Sequence, residues 1–508
     1  MTIASSRNPP LRAGWSVALV RRRLESPLAL ASAVFAASLA WTLVVRLPLL
    51  RANCVDDAGF VGIAHLWTRG VLPYAGVFDV KPPGLFALVA AAEAVFGPTL
   101  EALRAVAIVS DAVAATTLFL LARRFGDARI GVFAAILYPV LSLIAIGYDA
   151  YCPLAALTAL AFLAALSPLS LLRRAALAGL AIGAAGAVKQ TAGFEALALL
   201  AILVGAPDGG RRRGSAALAY ASGVAVAPLA FLLYFACHGA AGALFADTVV
   251  AALQRPASAS EGISFVGGLV HFLPLQQGLI PLTGLTLLAM LRNRALRGAA
   301  PGLPLGALAA WFVAAVGSVI AQRSFFAPYL APTLAPALLL AGFCAGRALP
   351  ELARLPEWAR LASLAALSLA AAFSAPGVDL VKRQDLPALT AAAEAIRASG
   401  PAPDDKLYVV NRSVWLNSMV DLAPPTKYFF PFQTLCAFPG AGPDAVAEIL
   451  AARPRYVVIA DRRGKYYCEL PQSWRLIDAA LGRSYRRLVR AAGEFDFYDV
   501  YEAVAEPR

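Results

Sequence analysis

The sequence predicts a polytopic α-helical membrane protein, with about eleven transmembrane helices followed by an extracytoplasmic α/β domain. Of its 508 residues, 60% are hydrophobic and only 15% are charged, which is far less charge than a soluble protein of this length carries. Apolar runs long enough to cross a bilayer recur as far as Ala375. Beyond Pro376 the composition turns polar, and strand-like segments alternate with helical ones.

Each predicted span is a long apolar run that ends at polar or basic residues. The spans are Leu28–Leu50, Leu103–Ala122, Ile130–Ile146, Leu154–Leu172, Ala175–Ala187, Ala192–Val204, Ala216–Cys237, Leu273–Leu291, Leu303–Ala321, Leu330–Gly346 and Leu361–Ala375. The fifth and sixth are short, and they could form a tilted or half-spanning pair around Lys189. Leu85–Phe96 is also short and contains Glu93. We therefore predict that it is an interfacial helix of the first external loop, as is Asp57–Trp67.

Arginine clusters at the span ends set the predicted orientation, because basic loops stay in the cytoplasm. These clusters are Arg21–Arg23, Arg123–Arg124, Arg173–Arg174, Arg211–Arg213 and Arg292–Arg297. Their alternation puts residues 1–27 in the cytoplasm, 28–375 in the membrane domain, and both the first loop (51–102) and residues 376–508 outside. The formal net charge of +13 is thus explained by membrane orientation, which argues against nucleic acid as a partner.

The polar C-terminal region has the pattern of a small α/β domain. Its strand-like runs are Leu407–Val410, Tyr456–Ala460 and Phe495–Tyr501, and its helical patterns are Leu386–Ala398, Pro443–Ala452 and Ser473–Leu481. Cys436 and Cys468 fall within it. They could form a disulfide if the region lies outside the cytoplasm, or they could be two free thiols.

Charged residues that do not belong to the arginine clusters gather on the predicted outer face. They are Asp56, Asp57, Asp79 and Lys81 in the loop Asn53–Gly84, Asp149 in the second outer loop, Lys189 between the two short spans, and Arg323, which precedes Tyr329, before the tenth span. Charges next to a membrane are costly unless they are used, so this face is the candidate site.

Carboxylates beside cations suit one reaction in particular. A carboxylate can take the proton of an acceptor hydroxyl, while lysine or arginine can neutralise a departing phosphate. The pattern therefore favours transfer of a sugar from a lipid phosphate, with the lipid tail held between the spans.

Each residue also has a structural alternative that the sequence leaves open. The alternatives are a helix N-terminal cap for Asp56 and Asp57, a local ion pair for Asp79 with Lys81, an ordinary turn for Asp149, and an interfacial position for Lys189 and Arg323. The three histidines show no metal spacing, but the acid pair could hold a divalent cation.

The first loop resembles that of the GT-C class of membrane glycosyltransferases. It is most similar to the branch that holds the lipid A aminoarabinose transferases, the lipopolysaccharide galacturonosyl transferases and the protein O-mannosyltransferases. The similarity covers most of residues 28–375. The residues that carry it are Asp56–Asp57, Pro73–Tyr74, Lys81–Pro83, Arg104, Gly147 with Asp149, Lys189–Gln190, and Arg323 with Tyr329 and Pro332.

The resemblance implies that Asp56 is the catalytic base and that Lys81 meets the donor phosphate. Two positions depart from the family pattern. The second acid, usually glutamate, is Asp57, and the histidine that often precedes the tyrosine is replaced by Pro328. The sugar-binding repeat domain of the mannosyltransferase branch is not recognisable in the sequence, which disfavours a protein acceptor.

We therefore expect an inverting glycosyltransferase that passes many times through a bacterial inner membrane. Its partners would be a polyprenyl-phosphate sugar donor, a lipid or glycan acceptor of the envelope and the bilayer itself. Lys81, Lys189 and Arg323 would hold the phosphate, and Asp149 would orient a sugar. The alternatives are a transporter or flippase, which would need charges along an internal path, and a non-catalytic binder of lipid-linked sugars.

Overall fold

The computed structural model describes residues 26–47, 55–143, 151–206, 212–254, 288, 305–322, 327–348, 354–374, 386–436, 441–460, 469–493 and 497–504. Its helices are α1 (Pro27–Arg46), α2 (Val55–Thr68), α3 (Gly84–Phe96), α4 (Leu100–Arg124), α5 (Ala128–Leu141), α6 (Cys152–Ala165), α7 (Leu171–Val188), α8 (Gly193–Val204), α9 (Arg213–Cys237), α10 (Ala241–Phe245), α11 (Ala252–Gln254), α12 (Leu305–Ala321), α13 (Ala331–Ala348), α14 (Glu357–Ser374), α15 (Leu386–Ala398), α16 (Trp415–Val420), α17 (Pro431–Leu435), α18 (Pro443–Ala451) and α19 (Pro471–Ser484). Its strands are β1 (Leu407–Val409), β2 (Tyr456–Ala460), β3 (Tyr485–Ala492) and β4 (Phe497–Ala503). Short 3₁₀ turns precede α8 and α13, and a π-helical turn, Ala246–Ala251, joins α10 to α11.

Most of the chain up to residue 374 is apolar helix, as expected of a multi-pass membrane protein. Within the described residues, α1, α4, α7 and α9 are long and apolar enough to cross a membrane, and seven shorter apolar helices accompany them. The first-loop helices predicted to lie at the interface are α2 and α3. Of the predicted span Leu273–Leu291, the structure describes only residue 288.

Two predicted span boundaries are wrong. The fourth predicted span, Leu154–Leu172, is divided between α6 and α7. The fifth, Ala175–Ala187, is therefore no short segment but part of the 18-residue helix α7. Arg173 and Arg174 lie inside its first turn, since arginine forms helices well and its long side chain can reach the membrane surface from there.

Helices α7 and α9 cross at very short range through glycines. A Cβ atom added at Gly179 would lie 2.3 Å from the carbonyl oxygen of Tyr220, and one at Gly183 would lie 2.3 Å from that of Val224. Gly223 of α9 faces the backbone of α7 in the same way. Apolar helices gain nothing from leaving lipid for one another, so such backbone contact is a main source of their association.

The region from residue 386 onward forms a four-stranded sheet in the order β1-β2-β4-β3. β1 runs parallel to β2, and β4 runs antiparallel to both β2 and β3. All five residues of β2 are buried, because α15 packs on one face of the sheet and α18 with α19 on the other. β2 and α15 have the bounds that the sequence predicts. β3 was not predicted from the sequence. The domain boundary at residue 376 and the extracytoplasmic location of the C-terminal region stay predictions.

The C-terminal region packs directly on the first loop. The ring of Phe430 fills the space beside Gly59 of α2, where a Cβ atom would lie 1.9 Å from it. The ring of Phe429 does the same at Gly62, at 2.6 Å. Any side chain at either glycine would displace a phenylalanine, so these two positions shape the contact between the loop and the C-terminal region.

The same region also satisfies the backbone of the buried Phe78, near the end of the loop. The Phe78 amide donates to the carbonyl of Lys427 at 2.7 Å, and the Phe78 carbonyl accepts from Nε2 of Gln433 at 3.0 Å. Buried backbone groups need such partners, so the loop conformation around Asp79 and Lys81 depends on residues far along the chain.

Glycines 183 and 186 of α7 offer a matched test of the α7–α9 contact. Gly183→Ala should lower the thermal midpoint, with a loss of about 1–3 kcal/mol from overpacking, because backbone cannot move aside as a side chain can. Gly186→Ala should be neutral or stabilising, since nothing lies within 4 Å of the added Cβ and alanine favours helix. Thermal unfolding of both variants in lipid nanodiscs measures the difference, and equal midpoints would contradict the packing argument.

Candidate functional site

Helix α2 carries the two predicted acids in its first turn, in different environments. Asp56 is exposed and Asp57 is fully buried, because successive helical residues point about 100° apart. Nη1 of Arg104, in α4, donates to Oδ2 of Asp57 at 2.8 Å. Asp56 thus lies at the surface of the protein, while Asp57 and its counter-charge Arg104 connect α2 to α4.

Burial controls the electrostatics of Asp57. It raises the pKa of the Asp57 carboxyl, whereas Arg104, through its charge and hydrogen bond, and Arg46, through its charge, lower that pKa. The second carboxylate oxygen, Oδ1, has no hydrogen-bond partner among the described residues. Asp57 therefore depends on nearby positive charge to stay ionised.

A second buried ion pair joins α1 to α4. Nη2 of Arg46 lies 2.7 Å from Oδ2 of Asp111, and Nε of Arg46 lies 3.0 Å from the same oxygen. Ser142 donates to Oδ1 of Asp111 at 3.1 Å, and the Cys152 sulfur lies 3.2 Å from Arg46. Four buried polar groups thus hold α1, α4, the end of α5 and the start of α6 together. Sequence analysis missed this cluster, although charges inside apolar spans are a signal for such sites.

Asp79 and Lys81 do form the local ion pair that the sequence left open. Oδ1 of Asp79 accepts from the Lys81 amide at 2.7 Å and lies 3.6 Å from Nζ of Lys81. That Nζ is 4.4 Å from the ring centre of Phe60, one turn after Asp56 on α2. The Tyr74 hydroxyl donates to the Lys81 carbonyl at 2.8 Å. Because the Lys81 side chain is still 24% exposed, its ammonium group can also meet a ligand.

Lys189 lies just after α7, in extended backbone. Its Nζ donates to the hydroxyl of Tyr151, and it lies 3.9 Å from the ring centre of Tyr151 and 4.3 Å from that of Tyr329. The two rings are 5.7 Å apart. Aromatic faces attract cations, so this pair holds the ammonium group of Lys189 in place.

The next residue, Gln190, connects Lys189 to the first loop. Its Nε2 donates to the carbonyl of Val80 at 2.7 Å and to the carbonyl of Thr248 at 2.8 Å. One amide group therefore joins the chain beside Lys189, the chain beside Lys81 and the π-helical turn.

The structure thus brings several predicted residues together, although the roles predicted for them stay predictions, and two other predicted residues lie outside the described part of the chain. Those brought together are Asp79, Lys81, Lys189 and Tyr329, with Asp56 one helical turn from Phe60 and Asp57 paired with Arg104. Asp149 and Arg323 lie outside the described residues, so their roles stay predictions.

Two charged residues at this end of the molecule were not predicted as site residues. Asp247 lies in the π-helical turn, is 5% exposed, and is the only charged residue of Ala241–Gln254. Lys427 lies in the C-terminal region, with Nζ 5.6 Å from the ring centre of Phe78. Asp247 could have been found from the sequence, because it is an isolated acid in an apolar segment, whereas no sequence signal distinguishes Lys427.

His65 joins the first loop to the C-terminal region. Its Nδ1 lies 3.8 Å from Glu93 of α3, and its Nε2 lies 3.5 Å from Asp421, which also pairs with Arg69 at 2.9 Å. The hydrogen bond to Glu93 raises the pKa of His65 and outweighs burial, which lowers it; Asp421 adds to the increase. His65 therefore carries a pH-dependent charge that connects α2 to α3 and to the C-terminal region.

No cluster of three or more histidine, cysteine or acidic side chains that could hold a metal occurs in the described part of the chain. Asp56 and Asp57 point to different environments, which does not favour a shared cation. Cys436 is disulfide-bonded. Cys468 lies outside the described residues, so the pairing of these two cysteines stays a prediction.

Comparison with solved structures identifies the fold. ArnT from Cupriavidus metallidurans bound to undecaprenyl phosphate aligns over 98% of this chain and 100% of its own, with a TM-score of 0.58 at 16% identity. The apo structure of the same protein aligns over 97% and 99%, with a TM-score of 0.57 at 17% identity. The chain has the GT-C fold.

A more distant GT-C protein and a family profile agree with this assignment. Archaeoglobus fulgidus AglB, in complex with an inhibitory peptide and a dolichol-phosphate, aligns over 84% of this chain and 69% of its own, with a TM-score of 0.51 at 12% identity. The family described as dolichyl-phosphate-mannose-protein mannosyltransferase matches residues 80–235, which include Lys81 and Lys189. No curated protein matches the sequence.

The Asp57–Arg104 pair predicts strong coupling between its two residues. Asp57→Asn or Arg104→Gln alone leaves a buried charge without its partner, so each should cost about 3–5 kcal/mol of stability. The double variant buries two neutral amides and should unfold at a temperature closer to wild type than either single variant. A double-mutant cycle on thermal midpoints measures the coupling, and additive losses would contradict a direct pair.

The His65 contacts predict a stability that depends on pH. Since the pKa of His65 is raised in the folded protein, its stabilisation is present at low pH and is lost as pH rises through that pKa. Thermal midpoints between about pH 6 and pH 9 should fall less steeply for His65→Gln than for wild type. Asp421→Asn should move the wild-type transition to lower pH, and an unchanged pH profile in both variants would exclude this role.

Proposed function

We propose that the protein is an inverting glycosyltransferase that moves a sugar from a polyprenyl-phosphate donor to a lipid or glycan acceptor of the cell envelope. The reaction would take place at the periplasmic face of a bacterial inner membrane. The observation that carries this proposal is the contact between Gln190 and Val80, which joins the chain next to Lys189 to the chain next to Lys81. Two ammonium groups are thereby held at one end of an apolar helical bundle.

This arrangement suits a lipid phosphate. Both ammonium groups lie over aromatic rings, so their positions are set before a ligand binds. A phosphate between them would gain charge-assisted hydrogen bonds, while its polyprenyl tail would lie among the apolar helices. Arg323 would add a third cation. Undecaprenyl phosphate in the ArnT structure and dolichol-phosphate in the AglB structure support a donor of this class.

Asp56 is the proposed base. An acceptor hydroxyl would lose its proton to the Asp56 carboxylate while its oxygen attacks the anomeric carbon from the face opposite the phosphate. The bond between that carbon and the phosphate oxygen would break, and the departing polyprenyl phosphate would keep the electron pair, stabilised by Lys81 and Lys189. A single displacement inverts the anomeric configuration. Asp149 would orient one of the two sugars.

The proposal is tested by the release of free polyprenyl phosphate. The purified full-length protein in lipid nanodiscs would be given a panel of polyprenyl-phosphate sugars together with an envelope lipid fraction. Wild type should release polyprenyl phosphate from at least one donor. Asp56→Asn, which has the same shape but is no base, should release it at least about 100-fold more slowly. The anomeric configuration of the product, measured by NMR, should be opposite to that of the donor.

Two further variants provide a control for the assay and a separate test of the phosphate site. Asp404→Asn removes an exposed carboxylate in the C-terminal region and should leave the rate unchanged. Lys189→Gln should weaken the binding of polyprenyl phosphate itself, which tests the phosphate site without turnover. If wild type binds donors but releases no lipid phosphate, the enzyme assignment falls and transport or binding becomes the better hypothesis. If Asp56→Asn is as active as wild type, only the role of Asp56 as the base falls.

A further inference from the structure

Asp247 is a buried acid that the proposed chemistry does not use. It is 5% exposed, and its Oδ2 atom has no hydrogen-bond partner among the described residues. A buried carboxylate oxygen without a partner costs free energy, so it calls for a partner such as a ligand hydroxyl. Its position in a π-helical turn is a second sign of function, because these turns are rare and concentrate at functional sites.

The π-helical turn is fixed beside the proposed phosphate site. The carbonyl of Thr248, the residue after Asp247, accepts from Gln190, whose other hydrogen bond goes to Val80. Ala251, one turn later, packs in the same apolar cluster as Phe78. Asp247 is therefore held next to the chain segments that carry Lys81 and Lys189.

Lys427 approaches Asp247 from the C-terminal region. Its Nζ lies 5.6 Å from the ring centre of Phe78 and 5.5 Å from that of Tyr428, so the two rings set the position of the charge. The pKa of the Asp247 carboxyl is raised to about 6, because burial raises it strongly, the charge of Lys427 offsets part of that increase, and the charge of Asp79 adds to it. The charge of Lys427 therefore acts on the Asp247 carboxyl.

Asp247 thus offers a hydrogen-bond acceptor, and Lys427 offers a donor near it. Two hydroxyl groups on neighbouring carbons of a sugar suit such a pair, because one can donate to the carboxylate while the other accepts from the ammonium group. A second phosphate fits less well, since Asp79 and Asp247 would both repel it.

We infer that Asp247 and Lys427 form a subsite that binds two neighbouring hydroxyl groups of the transferred sugar, an inference that rests on the proposed function. Oδ2 of Asp247 accepts from one hydroxyl, and Nζ of Lys427 donates to the next. The phosphate of the donor lies with Lys81 and Lys189, so the sugar extends from there toward Asp247. The class of donor is a polyprenyl-phosphate sugar with a free vicinal diol.

The test separates the sugar from the phosphate by binding measurements on full-length protein in nanodiscs. The probes are polyprenyl phosphate, polyprenyl-phosphate hexoses with a free vicinal diol, and the analogues of those hexoses that lack one hydroxyl. The reference donor is the diol-bearing donor that wild type binds most tightly. Asp247→Asn and Lys427→Gln should each weaken the binding of this donor by a factor of about ten or more. Neither should change the affinity for polyprenyl phosphate. Wild type should bind one deoxy analogue as weakly as Asp247→Asn binds the parent donor, and Asp404→Asn should behave as wild type throughout.

Failure of the subsite inference can be distinguished from failure of the proposed function. If Asp247→Asn loses affinity for polyprenyl phosphate and donor alike, or for neither, the subsite is overturned while donor turnover by wild type still supports the proposed function. Wild type that consumes a donor but binds its deoxy analogues equally well also overturns only the subsite. Wild type that binds no sugar-bearing donor more tightly than polyprenyl phosphate and releases none overturns both.

Discussion

The arrangement of this end of the molecule depends on one side-chain amide. Gln190 donates to the carbonyls of Val80 and Thr248, so three segments that are far apart in the chain meet at one group. A glutamine can do this because its amide has two hydrogens in a fixed plane. Without it, the carbonyls of Val80 and Thr248 would lose these hydrogen bonds, and the segments that carry Lys81 and Lys189 would lose their direct connection.

The buried charges follow a second constraint, since two of the buried ion pairs also join helices. Arg46 with Asp111 connects α1 to α4, and Asp57 with Arg104 connects α2 to α4. In an apolar surrounding a charge is tolerated only beside its partner, which restricts how the helices can be placed. Helix α4 is thus bound by a buried ion pair both to the first span, α1, and to α2, the helix that carries Asp56.

The sequence indicated the parts of this molecule that rest on local chemistry. Apolar length located the helices, and the Asp56–Asp57 and Lys81–Pro83 motifs located one side of the site. It could not indicate that Lys81 and Lys189 are joined through Gln190, because that contact depends on how the helices cross. Asp247 and Lys427 were not predicted as site residues for the same reason: the role inferred for each depends on neighbours that only the folded structure brings close. The boundary between α6 and α7 was misplaced because arginines were taken to end a helix that they begin.

The packing of Phe429 and Phe430 on Gly62 and Gly59 also sets an order of events during biosynthesis. The first loop is synthesised early, but its covering phenylalanines leave the ribosome several hundred residues later. At ordinary rates of synthesis the interval is on the order of tens of seconds. During this time the glycine face of α2 is bare, and Phe78 lacks its two backbone partners. The surroundings of Phe78 and Lys81 are therefore completed late, by residues that are made several hundred positions after the first loop.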